Sequence, residues 1–266
     1  MAKRFRLYLL TVLSLVIFQI GNSQYGFTNE VGVFAGAYNL QSDFGERQNF
    51  ESSTNTGFAV GIVHYMNFSY RRNYNFTNSQ GFFNEHFKIK SELSYNQTGL
   101  EHFGTWVDET RTSENAERLR SHTGKAKNFN IGAQLEFYPF EIRDFENGRR
   151  NFIPFAAFGF QYTWFNPEVY TTYNGSTDIN NLDNFYLPWQ VDQDPFLSTE
   201  AGSTFSLVGG LGTRYKLTPL TDLLLELRWQ YYFDDFIDGL DHKLPSNQSN
   251  DWAVWFTLGY VIYWER

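Results

Sequence analysis

The chain has 266 residues, a formal net charge of −8, no cysteine and a 20% share of aromatic residues, made up of 28 Phe, 17 Tyr and 7 Trp. The acidic balance argues against nucleic acid as a partner, and without cysteine no disulfide framework is available, so stability must come from closure and packing. A mean hydropathy of −0.44 beside so many rings fits strands that alternate between a lipid face and a polar interior, joined by hydrophilic loops.

Lys3, Arg4 and Arg6 precede an apolar run from Leu7 to Ile20, which is too short to span a bilayer comfortably, and Gly21, Asn22, Ser23 and Gln24 follow it. Small residues three and one before a cut after Ser23 complete the pattern of a cleaved signal peptide over 1–23, leaving a domain over 24–266. No cysteine stands at the cut, so a lipoprotein is excluded. No later apolar run approaches the ~20 residues a membrane helix needs, so any membrane crossing is made by strands.

Eight stretches carry the period of two that marks strands. The first, Asn29 to Tyr38, is Gly-rich and its facing is ambiguous between Val31, Val33, Ala35, Ala37 and Gly32, Phe34, Gly36, Tyr38. The second, Gly57 to Tyr70, turns Phe58, Val60, Ile62, Met66 and Phe68 outward, with His64 interrupting that face. The third, His86 to Asn96, alternates Phe87, Ile89, Leu93 and Tyr95 with Lys88, Lys90, Glu92 and Asn96. A strand charged along one face looks into water or a polar lumen. The fourth, Phe129 to Tyr138, sets Ile131, Leu135 and Phe137 against Asn130, Gln134 and Glu136 and stops at Pro139, which has no ladder donor. The fifth is Phe152 to Phe165, the sixth Thr204 to Leu217, and the seventh Asp222 to Phe233, the last two joined by the short turn TPLT.

The eighth stretch begins at Asp251, where Trp252, Val254, Phe256, Leu258, Tyr260, Ile262 and Trp264 share one face, with aromatics near both ends as in the interfacial girdles of a membrane strand. Closing a barrel requires this last strand to pair antiparallel with the first, bringing Val31 near the Tyr260 to Trp264 end. The fold class predicted is all-β, an antiparallel transmembrane β-barrel of eight strands with long folded outer loops; ten strands are the alternative, using part of Asn166 to Ser203, and an aromatic-rich secreted β domain is the bland one. Thr98 to Asn128, Asn166 to Ser203 and Asp234 to Asn250 are expected as the outer loops, while Arg71 to Glu85 and Phe140 to Asn151 are longer than an ideal inner turn.

The inward faces carry Lys88, Lys90, Glu92, Glu136, Arg214, Lys216, Glu226 and Arg228. An eight-stranded barrel is just wide enough for side chains to fill it, so these charges are expected to pair across the lumen as a plug. An uncharged inward position such as Gln230 is expected to tolerate Lys, whereas an outward one such as Leu225 is not.

No residues form a catalytic or cofactor-binding pattern. His64, His86, His102, His122 and His242 have no metal-ligand spacing and read as surface or interface residues. Gly209, Gly210 and Gly212 lie in a strand and lack the third glycine of a dinucleotide fingerprint. Asp234, Asp235, Asp238 and Asp241 crowd the last outer loop but lack EF-hand spacing and its terminal glutamate, so a solvated acidic loop is expected rather than a calcium site. A short helix is expected over Thr112 to Ser121, with Ala116 and Leu119 on one face. Trp106, Trp189 and the four aspartates are the candidate interaction residues of the outer loops, and no cofactor is expected.

The segments EVGVFAGAYNLQSDFGER, GIVHYMNFSYR, HFGTWVD, QLEFYPF, GTRYKLT, YYFDDFIDGLD and DWAVWFTLGY together resemble a family of small outer-membrane β-barrel proteins of flavobacteria and their Bacteroidota relatives. The first hairpin is also similar to that of PorG-like barrels of the type IX secretion machinery. The resemblance implies location and fold, and hardly any function. The first functional expectation is a non-enzymatic outer-membrane barrel serving as scaffold or accessory in envelope assembly or secretion, with membrane lipid and envelope or secretion proteins as partners. A narrow channel or small-molecule-binding barrel is the alternative, and an outer-membrane enzyme the third.

Overall fold

The structure, a computed structural model, describes residues 28–46, 50–68, 81–191, 196–242, 244 and 249–264. The signal-peptide reading of 1–23, the Tyr70 end of the second strand, most of the connection Arg71 to Glu85, and Glu265 and Arg266 lie outside the described residues.

Nine strands follow the chain: β1 (Thr28–Gln41), β2 (Thr56–Asn67), β3 (Phe87–Glu101), β4 (His122–Phe137), β5 (Phe152–Phe165), β6 (Glu168–Thr171), β7 (Gly202–Thr218), β8 (Thr221–Tyr232) and β9 (Trp252–Trp264). Eight of them form a closed antiparallel ring, β1-β2-β3-β4-β5-β7-β8-β9, with β9 returning to β1. At that seam Val31 pairs with Ile262, Ala37 with Phe256 and Gln41 with Trp252. The approach is close: a Cβ on Gly36 would meet the Phe256 carbonyl oxygen at 2.0 Å, so only glycine fits there.

The ten-strand alternative is corrected. β5 pairs with β7 along its whole length, from Phe152↔Tyr215 to Phe165↔Gly202, which leaves no place for another strand between them. The extra strand β6 instead pairs with the outer end of β4, His122↔Thr171 to Lys125↔Glu168, above the point where β5 has turned away. The outer loop expected over Thr98 to Asn128 is also shorter than the sequence suggests, because the β3–β4 ladder continues from Tyr95↔Phe129 to Glu101↔Thr123. Beyond that first pair polar and small residues fall on both faces, with Leu100 the one large apolar side chain, so the alternation that marks a membrane strand fades although the ladder does not.

The outward faces form an apolar belt, with Leu211 66% exposed and Leu258 62%, while Tyr65, Arg214 and Trp255 on the other parity are fully buried. The ambiguous first strand resolves the same way: Phe34 and Tyr38 turn inward and Val33 outward. Three connections lie at the inner end. Helix α1 (Phe82–His86) precedes β3, and the TPLT turn is held by a 2.8 Å bond between the Thr218 and Thr221 hydroxyls. Phe140 to Asn151 is long because it contains a second short helix, whose Ile142 and Phe145 are buried; Gly148, at φ 72°, ends it in the left-handed region. The remaining helix (Glu114–Ser121), in the β3–β4 outer turn, is capped by the Ser113 hydroxyl accepting from the Ala116 N–H at 3.3 Å, and buries Ala116 and Leu119.

Candidate functional site

Strand parity sends every inward side chain into a lumen too narrow for water to solvate ions, so each charge needs a partner. Near the inner end Glu30 accepts from Lys88 Nζ at 2.5 Å and from Arg214 Nη1 at 2.5 Å, while Lys216 meets Asp222 at 2.7 Å. Glu146, from the buried helix of the inner mouth, lies 3.6 Å from Lys88 and accepts from Asn67 at 2.5 Å. At mid-barrel Lys90 pairs with Glu226 at 2.8 Å and lies 3.9 Å from Glu136, and Arg228 holds Glu92 through two bonds of 2.7 Å. Towards the outer end the network turns neutral: Gln230 donates to Ser206 at 2.8 Å, Thr163 to Asn130 at 2.7 Å, and the Tyr38 and Tyr232 hydroxyls meet at 3.1 Å.

Each of the eight inward charges read from the sequence lies in this network. Glu30 and Asp222 join it unannounced, since Glu30 stands on the strand of ambiguous facing and Asp222 opens a strand at a turn. The available signal was parity: Asp222 is in phase with Glu226 and Arg228.

Above the barrel the outer loops fold into a cap with its own core. Three of the five histidines, read from the sequence as surface or interface residues, meet in this cap, with His122 and His242 buried. His102 and His122 are bonded at 2.9 Å, and His242 lies flat against Trp189, with ring centroids 5.4 Å apart. Phe44 stacks on His102 at 4.7 Å, and Phe185 meets His122 edge-on at 5.0 Å. Burial and the two neighbouring imidazoles hold His102 well below the usual imidazole range. The other two histidines stay apart: His64 bonds Asn29 on the barrel exterior, and His86 bonds the Tyr138 carbonyl.

The candidate interaction residues divide by burial. Trp106 is 55% exposed, with the Arg111 guanidinium 5.2 Å from its ring centre, whereas Trp189 is buried among the cap histidines. Asp234 accepts from the Phe236 N–H at 2.9 Å in a local turn. Asp238 is fully buried, accepting from Leu240 N–H at 2.7 Å and Asp43 N–H at 3.0 Å, and burial pushes its carboxyl up to about 7. Asp235 and Asp241 bring carboxylate oxygens within 4.8 Å of Asp43, a residue of the β1–β2 connection, the first of four outer loops that continue with β3–β4, β5–β7 and β8–β9. A cavity of about 540 Å³ opens in the cap among Asp43, Glu46, His102, Trp106, Trp189 and His242.

No protein-family model and no curated protein sequence matches the chain. Among solved structures it is similar to a major outer membrane protein from Thermus thermophilus at 13% identity, covering 90% of this chain and 100% of that one with a TM-score of 0.45. It is similar to Neisserial surface protein A at 13% identity, covering 90% and 98% with a TM-score of 0.44. It is similar to the outer membrane protein OprG from Pseudomonas aeruginosa at 12% identity, covering 91% and 97% with a TM-score of 0.41. The closed ring of strands, rather than these likenesses, makes the chain an eight-stranded antiparallel barrel.

Proposed function

We propose that the chain is exported by a signal peptide cleaved before Gln24 and spans a bacterial outer membrane as a non-enzymatic barrel, closed to solutes and working through its outer cap. The observation that carries this reading is the lumen. Among the described residues five cations, Lys88, Lys90, Arg214, Lys216 and Arg228, face six carboxylates, Glu30, Glu92, Glu136, Glu146, Asp222 and Glu226, and two of the pairs, Lys90–Glu226 and Arg228–Glu92, bridge strands on opposite sides of the ring. A solute would have to break pairs that water cannot replace inside the barrel. The apolar belt supports a lipid surround, and the net charge of −8 speaks against nucleic acid.

With the lumen filled, recognition falls to the cap, which supports a scaffold or accessory role in envelope assembly or secretion. The resemblance to Bacteroidota barrels and to PorG-like proteins favours type IX secretion as the setting. Against an enzyme, His102 and His122 bond each other and the Gly45 N–H rather than a nucleophile. The cap cavity favours a second reading, a small-molecule-binding barrel.

Liposome conductance combined with crosslinking in native membranes tests the proposal. Silent bilayers and a co-purifying envelope protein support it, while steady ion currents from the purified chain would overturn the closed lumen. Recovery in the soluble periplasmic fraction would overturn the membrane reading, and retention of Met1 would overturn the cleaved leader.

A further inference from the structure

His102 and His122 face each other where the β3–β4 ladder ends, and their proton positions follow from their bonds. The Gly45 N–H donates to His102 Nδ1 at 3.2 Å, so a neutral His102 carries its proton on Nε2. That proton goes to His122 Nδ1, 2.9 Å away, which leaves the proton of His122 on Nε2. His122 Nε2 is buried and has no hydrogen-bond partner among the described residues. Both nitrogens able to take a further proton are therefore already accepting. Protonating His102 turns two N–H groups against each other at Gly45, and protonating His122 does the same within the pair.

The surroundings offer little to compensate. The third outer loop packs rings against the pair, Phe185 and Trp189, with Tyr186 as its titratable group. The first outer loop brings Phe44, Asp43 and Glu46, but Glu46 accepts from the Thr105 N–H and hydroxyl, and Asp43 accepts from the His242 N–H at 3.1 Å. The last loop presents His242, a third imidazole, with Asp235, Asp238 and Asp241 gathered beyond it around Asp43. From the helix of the β3–β4 turn, Arg118 is directed to the Asp183 carbonyl at 2.9 Å and to the Tyr173 ring, and Leu119 completes the packing.

We propose that the His102–His122 pair is a pH-sensitive latch on the outer cap: with both rings neutral the cap is shut, and proton uptake in mild acid releases the third and last outer loops from the β3–β4 hairpin while the barrel below stays closed. Release exposes Phe185, Trp189 and Phe196, aromatic side chains that are buried in the shut form. The latch is independent of what the cap recognises. Each histidine that gains a proton on opening favours the open form about tenfold per pH unit below the ordinary imidazole pKa. Asp238, neutral when shut and charged when released, opposes this by about tenfold over the same range, leaving a net change of about tenfold per unit.

The test is hydrogen exchange on the full chain in liposomes from pH 7.5 to 4.5, corrected for intrinsic exchange, reading peptides around His102 to His122 and Phe185 to Trp189. Heat-modifiable migration on gels reports the barrel at each pH. The expected result is cap opening that rises about tenfold per pH unit below about pH 6.5 with the barrel intact. The double variant His102→Gln, His122→Gln keeps an acceptor and a donor at each position but does not titrate, and should lose the rise. If its cap is already open at pH 7.5, the single variants decide, each lowering the slope by one proton's worth. Unchanged cap protection in the wild type down to pH 4.5, or the same acid response in the double or both single variants, overturns the latch.

Discussion

Glu92 on β3 and Arg228 on β8 are separated by β2, β1 and β9 one way round the ring and by β4, β5 and β7 the other, yet are joined by two bonds of 2.7 Å. The pair therefore ties opposite walls of the barrel, and the planar guanidinium matches the carboxylate edge to edge. Glu226 shares Arg228 at 3.1 Å and Lys90 at 2.8 Å, so the tie belongs to a network rather than to an isolated pair.

Removing one member leaves a buried charge uncompensated. Arg228→Met should cost about 3 to 5 kcal/mol, because Glu92 and Glu226 then face each other with Lys90 alone between them. The double variant Arg228→Met, Glu92→Met should be milder than the sum of the singles. Urea unfolding in liposomes, followed by tryptophan fluorescence, measures both, and additive costs would mean that the two side chains are not coupled across the lumen.

Lipid-facing and lumen-facing positions should respond differently to charge, but not as the sequence alone suggested. Leu225, outward on β8, should resist Arg by about 2 to 4 kcal/mol if it lies near the midplane. Gln230 was expected to tolerate Lys as an inward polar position. It is instead fully buried and bonded to Ser206, Gln161 and Asn130. A lysine there buries a cation among neutral partners, so Gln230→Lys is also destabilising, and Gln230→Met, which leaves the Gln161 oxygen without this donor but buries no charge, costs less. The same unfolding assay ranks the three, and tolerance of Lys at 230 would mean that water reaches this level of the barrel.

Strand parity made the barrel legible in the sequence, because a lipid face must be apolar and a lumen face need not be. It failed where both faces are small or polar. The Thr98 to Glu101 and His122 to Asn128 segments form a ladder with no apolar stripe to announce it, and Glu30 was hidden on a strand with apolar residues on both faces. The cap was legible only in pieces. The Ser113-capped helix followed from local signals, but the meeting of His102, His122 and His242 depends on three loops converging, and no spacing along the chain encodes that.

Asp238 gives the last loop a pH dependence of its own. Its carboxyl is pushed up to about 7 from an ordinary 3.8, so its contribution to the shut cap is complete below about 4 and is lost as pH rises through 7. Asp238→Asn removes that pH dependence, which has a ceiling of about 4 kcal/mol from about three pKa units, although its amide NH2 sets a donor against the Leu240 or the Asp43 N–H. Relative to the wild type, exchange protection of the Ile237 to Leu240 amides in the variant should therefore rise as pH goes from 4 to 8. The same pH profile in both proteins would indicate that the carboxylate is solvated.

The seam between β1 and β9 makes the most direct prediction about closure. Antiparallel register sets Val31 opposite Ile262 and Val33 opposite Tyr260, with both pairs on the outward face. An open sheet would leave the backbone groups of both strands unpaired, which a bilayer cannot satisfy, so the seam should hold in the membrane as it does in the ladder. The chain contains no cysteine, so introduced pairs report without interference. Val31→Cys with Ile262→Cys should crosslink readily under mild oxidation in native membranes. Val31→Cys with Trp252→Cys should not, because Trp252 pairs with Gln41 at the far end of the strand. A crosslink in the second pair and none in the first would show parallel pairing, and failure of both, with each cysteine reactive to a soluble thiol probe, would show that the ring is open.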